Sequence, residues 1–323
     1  KSNKKGRYIY MDHASSAEVS APNPSAIHGL GVKEKNKLEG ARATIADVLG
    51  AHSDEIIFTS GATESNNLAI LGASQNQTFS QVLGSPGPQP GPDHSKKFGF
   101  VKHIITTNIE HASVLEAVRH RGNFTFVLVD NVGLVDPKQI RKALRPDTVL
   151  VSVMYANNEI GSIQPIREIA KEIRHFNKVN STKILFHTDA VQAVNYLPIN
   201  VEKLGVDLMS INAAKIYGPK GVGVLYVRRR VSLNAIMFGG DQERGLRPGT
   251  ENVSGVLAFA RALLATEKIK EKESKRLTIL RDYFIKELSK KNILINGDLS
   301  KRLPNNINIT VPNIPSDLSL IHI

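Results

Sequence analysis

Two short stretches carry residues whose types and spacing suit chemistry: "FHTDAVQA", with Asp189 and Gln192, and "SINAAKIYGPKG", with Lys215. Lys215 ends an apolar run two residues before a Tyr-Gly-Pro-Lys-Gly turn. A lysine leaving a buried strand is costly unless its charge is solvated, paired or removed, and Schiff-base formation removes it. The competing reading is a lysine whose ammonium simply reaches water at a strand end. Asp189 closes its own apolar run. There it is either a turn cap or a buried carboxylate facing a pyridine nitrogen, which it would keep protonated so that the ring withdraws electrons. Asp and Lys at the ends of neighbouring strands can reach opposite sides of one flat ring.

Three further stretches point the same way. In "FTSGATESNNLAI" a strand ends near Ser60, a Gly-Ala-Thr turn follows, and a helix begins near Thr63. Free N–H groups from Ala62 onward, with the Thr63 hydroxyl, form a phosphate cradle, although the same residues also read as an ordinary helix cap. The stretch lacks the lysine of a P-loop. "NIEHASVLEA" sets His111 just beyond a strand, either as a ring that stacks on a flat cofactor or as a helix-start residue. "YANNEIGSIQPI" offers Asn157 and Asn158 in a polar turn, with Asn158 suited to a ring hydroxyl. No metal site is expected, because His111, His187 and Asp189 lack the close spacing of common zinc ligands.

Positioning these residues requires a layered sheet. Short β-rich runs alternate with helical patterns, the signature of an α/β fold with mostly parallel strands and helices on both faces. Strands are predicted at "EIIFTS", "HIITTN", "FTFVLVD", "TVLVSVMYA", "KILFHTDA", "VDLMSIN" and "VGVLYVRR", and the first six lead into polar turns where such a sheet places ligands. Helices are predicted from about Pro24 to Leu49 and from about Ser254 to Lys290; the second opens a smaller α+β region. The Pro/Gly-rich "GSPGPQPGPDHS" reads as a surface loop.

Composition narrows the function classes. The 323 residues, 41% hydrophobic, suffice for one large domain and a smaller one. There is no cysteine, so the chain offers no disulfide, thiolate ligand or cysteine nucleophile. No apolar run reaches the roughly 18 residues of a membrane span, and a soluble cytoplasmic protein without a membrane partner is expected. The net charge of +12 is dispersed among acids, as in "EKIKEKESKRL", so nucleic acid is not the expected partner.

Taken in order, "SGATESNNLAI", Glu110-His111, "NNEIG", "HTDAVQA", "KIYGPKGVGVLYVRR" and "ERGLRPGTEN" resemble the cysteine desulfurases, pyridoxal-phosphate enzymes of the aminotransferase class V group. The resemblance runs from about Tyr10 to the C-terminus. It implies a fold-type-I transferase with a large cofactor domain over residues 16–255 and a partial small domain over 1–15 and 256–323. It also implies Lys215 as the Schiff-base lysine that moves the substrate's α-proton, Asp189 as partner of the ring nitrogen, and Gln192 near the phenolic oxygen. His111 would stack on the ring, Asn158 would lie near ring and substrate, and Ala62 and Thr63 would cradle the phosphate. Thr250 would reach the partner subunit's phosphate across a homodimer. The implied reaction converts L-cysteine to L-alanine and passes sulfur as a persulfide to a sulfur-acceptor protein for iron-sulfur clusters or tRNA thiolation.

The sequence departs from that pattern in three places. Asn212, Ala213 and Ala214 stand where many members carry Ser and His before the lysine, so Asn212 is expected to substitute in the cradle. "AEVSA" abbreviates a usually longer stretch. The sequence ends at "SDLSLIHI", before the loop expected to bear the nucleophilic cysteine and before the arginine expected to hold the substrate carboxylate; both are expected beyond Ile323. Rival readings are a selenocysteine lyase or another class V lyase or aminotransferase, and a catalytically silent cofactor-binding scaffold.

Overall fold

The computed structural model describes residues 22–73, 102–291 and 293–312. The opening residues 1–15, the Pro/Gly-rich stretch and the last residues "SDLSLIHI" lie outside them. Within the described residues, α1 (Gly29–Leu49), β1 (Ile56–Thr59), α2 (Ala62–Ala73), β2 (His103–Thr107), α3 (Ala112–Arg121), β3 (Phe124–Val127) and α4 (Pro137–Ala143) come first. They are followed by β4 (Thr148–Ser152), α5 (Ile166–Asn180), β5 (Leu185–Asp189), α6 (Val201–Leu204), β6 (Leu208–Asn212), β7 (Gly223–Val227), α7 (Val253–Ser289), β8 (Leu294–Asn296) and β9 (Asn308–Thr310). The first helix starts at Gly29 rather than near Pro24. His28 is its N-cap, and its Nδ1 accepts from the Gly31 N–H at 3.2 Å.

Seven strands form one sheet in the order β1-β7-β6-β5-β4-β2-β3. β2, β3, β4, β5 and β6 pair in parallel, whereas β7 runs antiparallel to both β1 and β6. This is the mostly parallel sheet expected from the alternating pattern. Successive side chains face opposite sides. On one face Phe58, Ile105, Val151, Phe186, Met209 and Val224 pack with apolar residues of α1, α5 and α7. On the other, Ile57, Ile104, Leu150, Leu208 and Leu225 pack with Leu68 and Ile70 of α2 and Val114 and Val118 of α3. Each such fully buried Leu or Ile contributes about 1.5–3 kcal/mol. These two layers hold the sheet rigid.

The apolar rows stop short of the strands' C-terminal ends. On the α2/α3 face, polar Thr106, Ser152, His187 and Ser210 follow the row of Ile104, Leu150 and Leu208, and all four are fully buried. Beyond them, at the last strand positions, stand Asp189 and Asn212. A sheet whose polar residues gather at one end of one face marks where a ligand sits.

α7 spans 37 residues, or about 55 Å at the standard rise. Its first half buries Val253, Val256, Phe259 and Leu263 in the large core. Its second half leads to the β8–β9 hairpin, and the helix runs unbroken through residue 255. The segment between β8 and β9 returns to the large unit: the Leu303 N–H donates to Gly161 O, and Asn306 Nδ2 donates to Glu159 O. Arg281 of α7 donates to the carbonyls of Arg302 and Leu303. The Asn157–Asn158 turn is therefore braced from the far end of α7.

Candidate active site

Asp189 ends β5 with 6% of its surface exposed. Its Oδ1 accepts from the Val191 N–H at 3.0 Å, and its Oδ2 accepts from Asn66 Nδ2 at 2.7 Å. Burial pushes its pKa up, while those two bonds and the nearby His111 pull it down. Asn66 belongs to α2 and is itself fully buried. Its second Nδ2 hydrogen goes to Ser113 Oγ at 2.9 Å. Ser113 Oγ in turn lies 2.8 Å from His111 Nδ1, and the Ser113 backbone N–H donates to the same nitrogen at 3.1 Å. His111 is thus the N-cap of α3, with an exposed ring anchored at Nδ1.

Beneath Asp189 the imidazole of His187 bridges Ser152 Oγ of β4 and Ser210 Oγ of β6, at 2.9 and 3.0 Å. Complete burial pushes its pKa down to about 3, so it is neutral. This bridge ties three neighbouring strands just below the site. To one side Glu110 is also buried: its Oε1 accepts from Thr107 Oγ1 at 2.7 Å and from the Met154 N–H at 2.9 Å. Burial, aided by the Asp189 charge, pushes the Glu110 pKa up to about 8. Among the described residues, Glu110 Oε2, Asn66 Oδ1 and Thr106 Oγ1 are buried without hydrogen-bond partners.

The turn expected to cradle a phosphate lies between β1 and α2. Gly61 precedes α2 with φ of 154°, which is strained for a residue with a side chain. Gly223 of β7 packs so closely on it that a Cβ there would sit 2.6 Å from the Gly61 backbone. Two glycines therefore let β1, β7 and the start of α2 converge. Ala62 is buried at the helix start, and Thr63 is exposed on its first turn. Asn212 closes β6 with its Oδ1 accepting from the Ala214 N–H at 3.2 Å, and its Nδ2 lies 4.0 Å from the Cβ position of Gly61. Asn212 thus borders the cradle.

Of the two environments open to Lys215, the structure shows the solvated one. The lysine does not leave the strand buried: a 3₁₀ turn, Ala213–Lys215, follows β6 and carries it out to an exposed position. Its charge is solvated, so no burial cost argues for its chemistry; its carbonyl accepts from Asn195 Nδ2 at 2.6 Å. The two asparagines of the polar turn also divide. Asn157 is buried and structural, accepting from the N–H groups of Glu159 and Ile160 and donating to Ile109 O. Asn158 is exposed. Gln192 is half-buried in the turn after β5. Thr250 lies in an exposed loop, and no hydrogen bond among the described residues joins it to the cluster. That loop is anchored by a buried ion pair, Arg42 to Glu243, whose bonds are 2.7 and 2.8 Å long.

Sequence reasoning missed Asn66 as Asp189's partner, together with Ser113 and Glu110. One signal for Asn66 was available. It is a polar residue within a helix stretch whose neighbours Leu68, Ala69 and Ile70 are all buried. No group of three or more His, Asp or Glu among the described residues is arranged to hold a metal ion. No helix among them is long and apolar enough to cross a membrane.

The aminotransferase class-V profile matches residues 10–81 and 94–321. The cysteine desulfurase IscS of Dictyoglomus turgidum is 42% identical over 98% of this chain and 79% of its own length. The chain belongs to the cysteine desulfurase family. Within that family, the IscS of Methanosarcina thermophila is 40% identical over 97% of this chain and 76% of its own. Among solved structures, a NifS-like protein superimposes with a TM-score of 0.81 at 36% identity, covering 94% of this chain and 77% of the other. DndA from Streptomyces lividans follows with 0.75 at 34%, covering 93% and 80%.

Proposed function

We propose that this cluster holds pyridoxal phosphate and that the chain is the cofactor-binding part of a cysteine desulfurase. The observation that carries this reading is Asp189: a buried carboxylate at the C-terminal end of a central strand, hydrogen-bonded by neutral donors and without an ion-pair partner among the described residues. Such a group suits a ring N–H. The rest of the site fits the cofactor as well. The glycine-lined start of α2, bordered by Asn212, suits a phosphate, and His111 and Asn158 are exposed.

When bound, pyridoxal phosphate supplies an electron-withdrawing ring that makes proton transfer at the substrate's α-carbon and C–S cleavage feasible. The chain's own groups do the remaining work in this proposal. Lys215 would hold the cofactor through Nζ, and the same nitrogen would move the substrate's α-proton. Asp189 would keep the ring nitrogen protonated, and Gln192 would serve the phenolic oxygen. L-cysteine yields L-alanine, and its sulfur passes to a thiol as a persulfide. The 323 residues contain no cysteine, so that thiol comes from outside them. The same reading gives a homodimer in which Thr250 reaches the other subunit's phosphate, and a sulfur-acceptor protein as partner.

Reconstitution with pyridoxal phosphate tests the reading. The wild-type chain is expected to gain a visible absorbance band that sodium borohydride bleaches while fixing the cofactor covalently to Lys215. Lys215→Ala is expected to lose the band while keeping its circular dichroism. A wild-type chain that shows no band, or a Lys215→Ala variant that keeps it, would refute the assignment.

A further inference from the structure

We propose that Asn66 and Ser113 are positioning residues that join the carboxylate of Asp189 to the imidazole of His111 and fix the ring proton of His111 on Nε2. The inference rests on the reading above for its catalytic meaning, but its structural content does not depend on the cofactor. Four groups form one continuous chain: Asp189 Oδ2, Asn66 Nδ2, Ser113 Oγ and His111 Nδ1, with links of 2.7, 2.9 and 2.8 Å.

The direction of every link follows from obligate donors and acceptors. The Ser113 backbone N–H has only a proton to give, so His111 Nδ1 must present its lone pair at 3.1 Å. Nδ1 therefore carries no proton, and in the neutral ring the proton lies on Nε2. The Asp189 carboxylate needs donors, which orients the Asn66 amide with Nδ2 toward it. The other Nδ2 hydrogen then reaches Ser113 Oγ, which accepts it and donates its own hydroxyl proton to His111 Nδ1. All donors are used once.

Two consequences follow for the reaction. His111 offers a proton at Nε2 and cannot take one at Nδ1 until this chain breaks, so within the site it acts as a donor. The chain also spans two helices and a strand, since Asn66 is on α2, His111 and Ser113 open α3, and Asp189 closes β5. A ring bound between His111 and Asp189 would thus meet two groups whose separation is set by one asparagine side chain. The packing on both sides leaves Asn66 no freedom, because it is fully buried and Ser113 is 9% exposed.

The test uses the apoprotein with 15N-labelled histidine, and the His111 signals are assigned by their loss in His111→Gln. The expected spectrum of neutral His111 has a lone-pair-type Nδ1 and a proton-bearing Nε2; a proton-bearing Nδ1 overturns the proposal. Ser113→Ala and Asn66→Ala are expected to move the Nδ1 resonance, and Ser113→Thr to restore it. An unchanged Nδ1 resonance in both alanine variants also overturns it. Should Asn66→Ala fail to fold, the Ser113→Ala and Ser113→Thr pair decides. In the reconstituted enzyme with an added thiol acceptor, Ser113→Ala is expected to lose about tenfold in kcat with KM for L-cysteine within about twofold. An unchanged kcat would remove the positioning role. Failure of the cofactor assignment itself would show separately, as a missing visible band with the apoprotein spectrum intact.

Discussion

Glu110→Gln isolates a buried proton. In the folded chain the Glu110 carboxyl titrates near pH 8 against an ordinary value of 4.5, because its burial is only partly offset by the Thr107 and Met154 bonds and is reinforced by the Asp189 charge. Between those two pH values the unfolded chain has lost this proton and the folded chain still holds it. The folded state therefore binds more protons, and stability falls as pH rises through this window. At about 1.4 kcal/mol per pH unit the full span amounts to about 5 kcal/mol, an upper bound because water entry and relaxation relieve part of the burial cost. Glutamine keeps the shape and an acceptor for Thr107 and Met154 but cannot ionise. Urea unfolding of the apoprotein at half-unit steps from pH 5 to 9 measures the difference. The stability of Glu110→Gln relative to wild type should climb by about 3–5 kcal/mol up to pH 8 and then level off. Parallel curves for the two proteins would refute the view that Glu110 is a neutral acid, whatever the constant offset between them.

Other perturbations read neighbouring parts of the same architecture. His187 is neutral until about pH 3, while an unfolded histidine takes its proton near 6.5, so acidification through that window destabilises the fold. His187→Gln should therefore show a shallower loss of urea midpoint between pH 6.5 and 4 than wild type; equal slopes would contradict the bridge as drawn. Glu243→Ala removes the buried carboxylate from Arg42, which keeps the half-exposed Glu39 and the Ile56 carbonyl, and leaves the Phe58 N–H without its acceptor. It should cost about 3–5 kcal/mol in the same assay, and a loss under about 1 kcal/mol would show that water already reaches the pair.

Much of the site was legible because the relevant residues lie at strand ends, and strand ends follow from hydrophobic patterning. Asp189, Asn212 and the Gly61–Ala62–Thr63 turn stand within a residue or two of the expected positions for that reason. The environment of Lys215 was left open between a buried and a solvated lysine. The apolar run ends at β6, and one 3₁₀ turn, invisible to a period-two pattern, rotates the lysine outward. Asn157 and Asn158 are adjacent and chemically identical, so only the backbone turn could reveal that one caps it and the other is exposed. The links from Asn66 to Ser113 and to Asp189 cross 47 and 123 residues of sequence, and no local signal encodes such partners.

The order of strands in the sheet differs from their order in the chain, and this sets a timetable. β1 leads into the Gly61 turn, yet among the described residues its sheet partner is β7, with Ile56 opposite Tyr226. At synthesis rates of about 5–20 residues per second, the roughly 170 residues between them take on the order of 10–30 s to emerge. Until then Gly223 is not there to pack against Gly61. The strands that carry Asp189 and the two hydroxyls bound to His187 are complete earlier, at residue 212. The Asp189 end of the cluster can therefore form before the Gly61 end, which must wait for the last strand of the seven-stranded sheet.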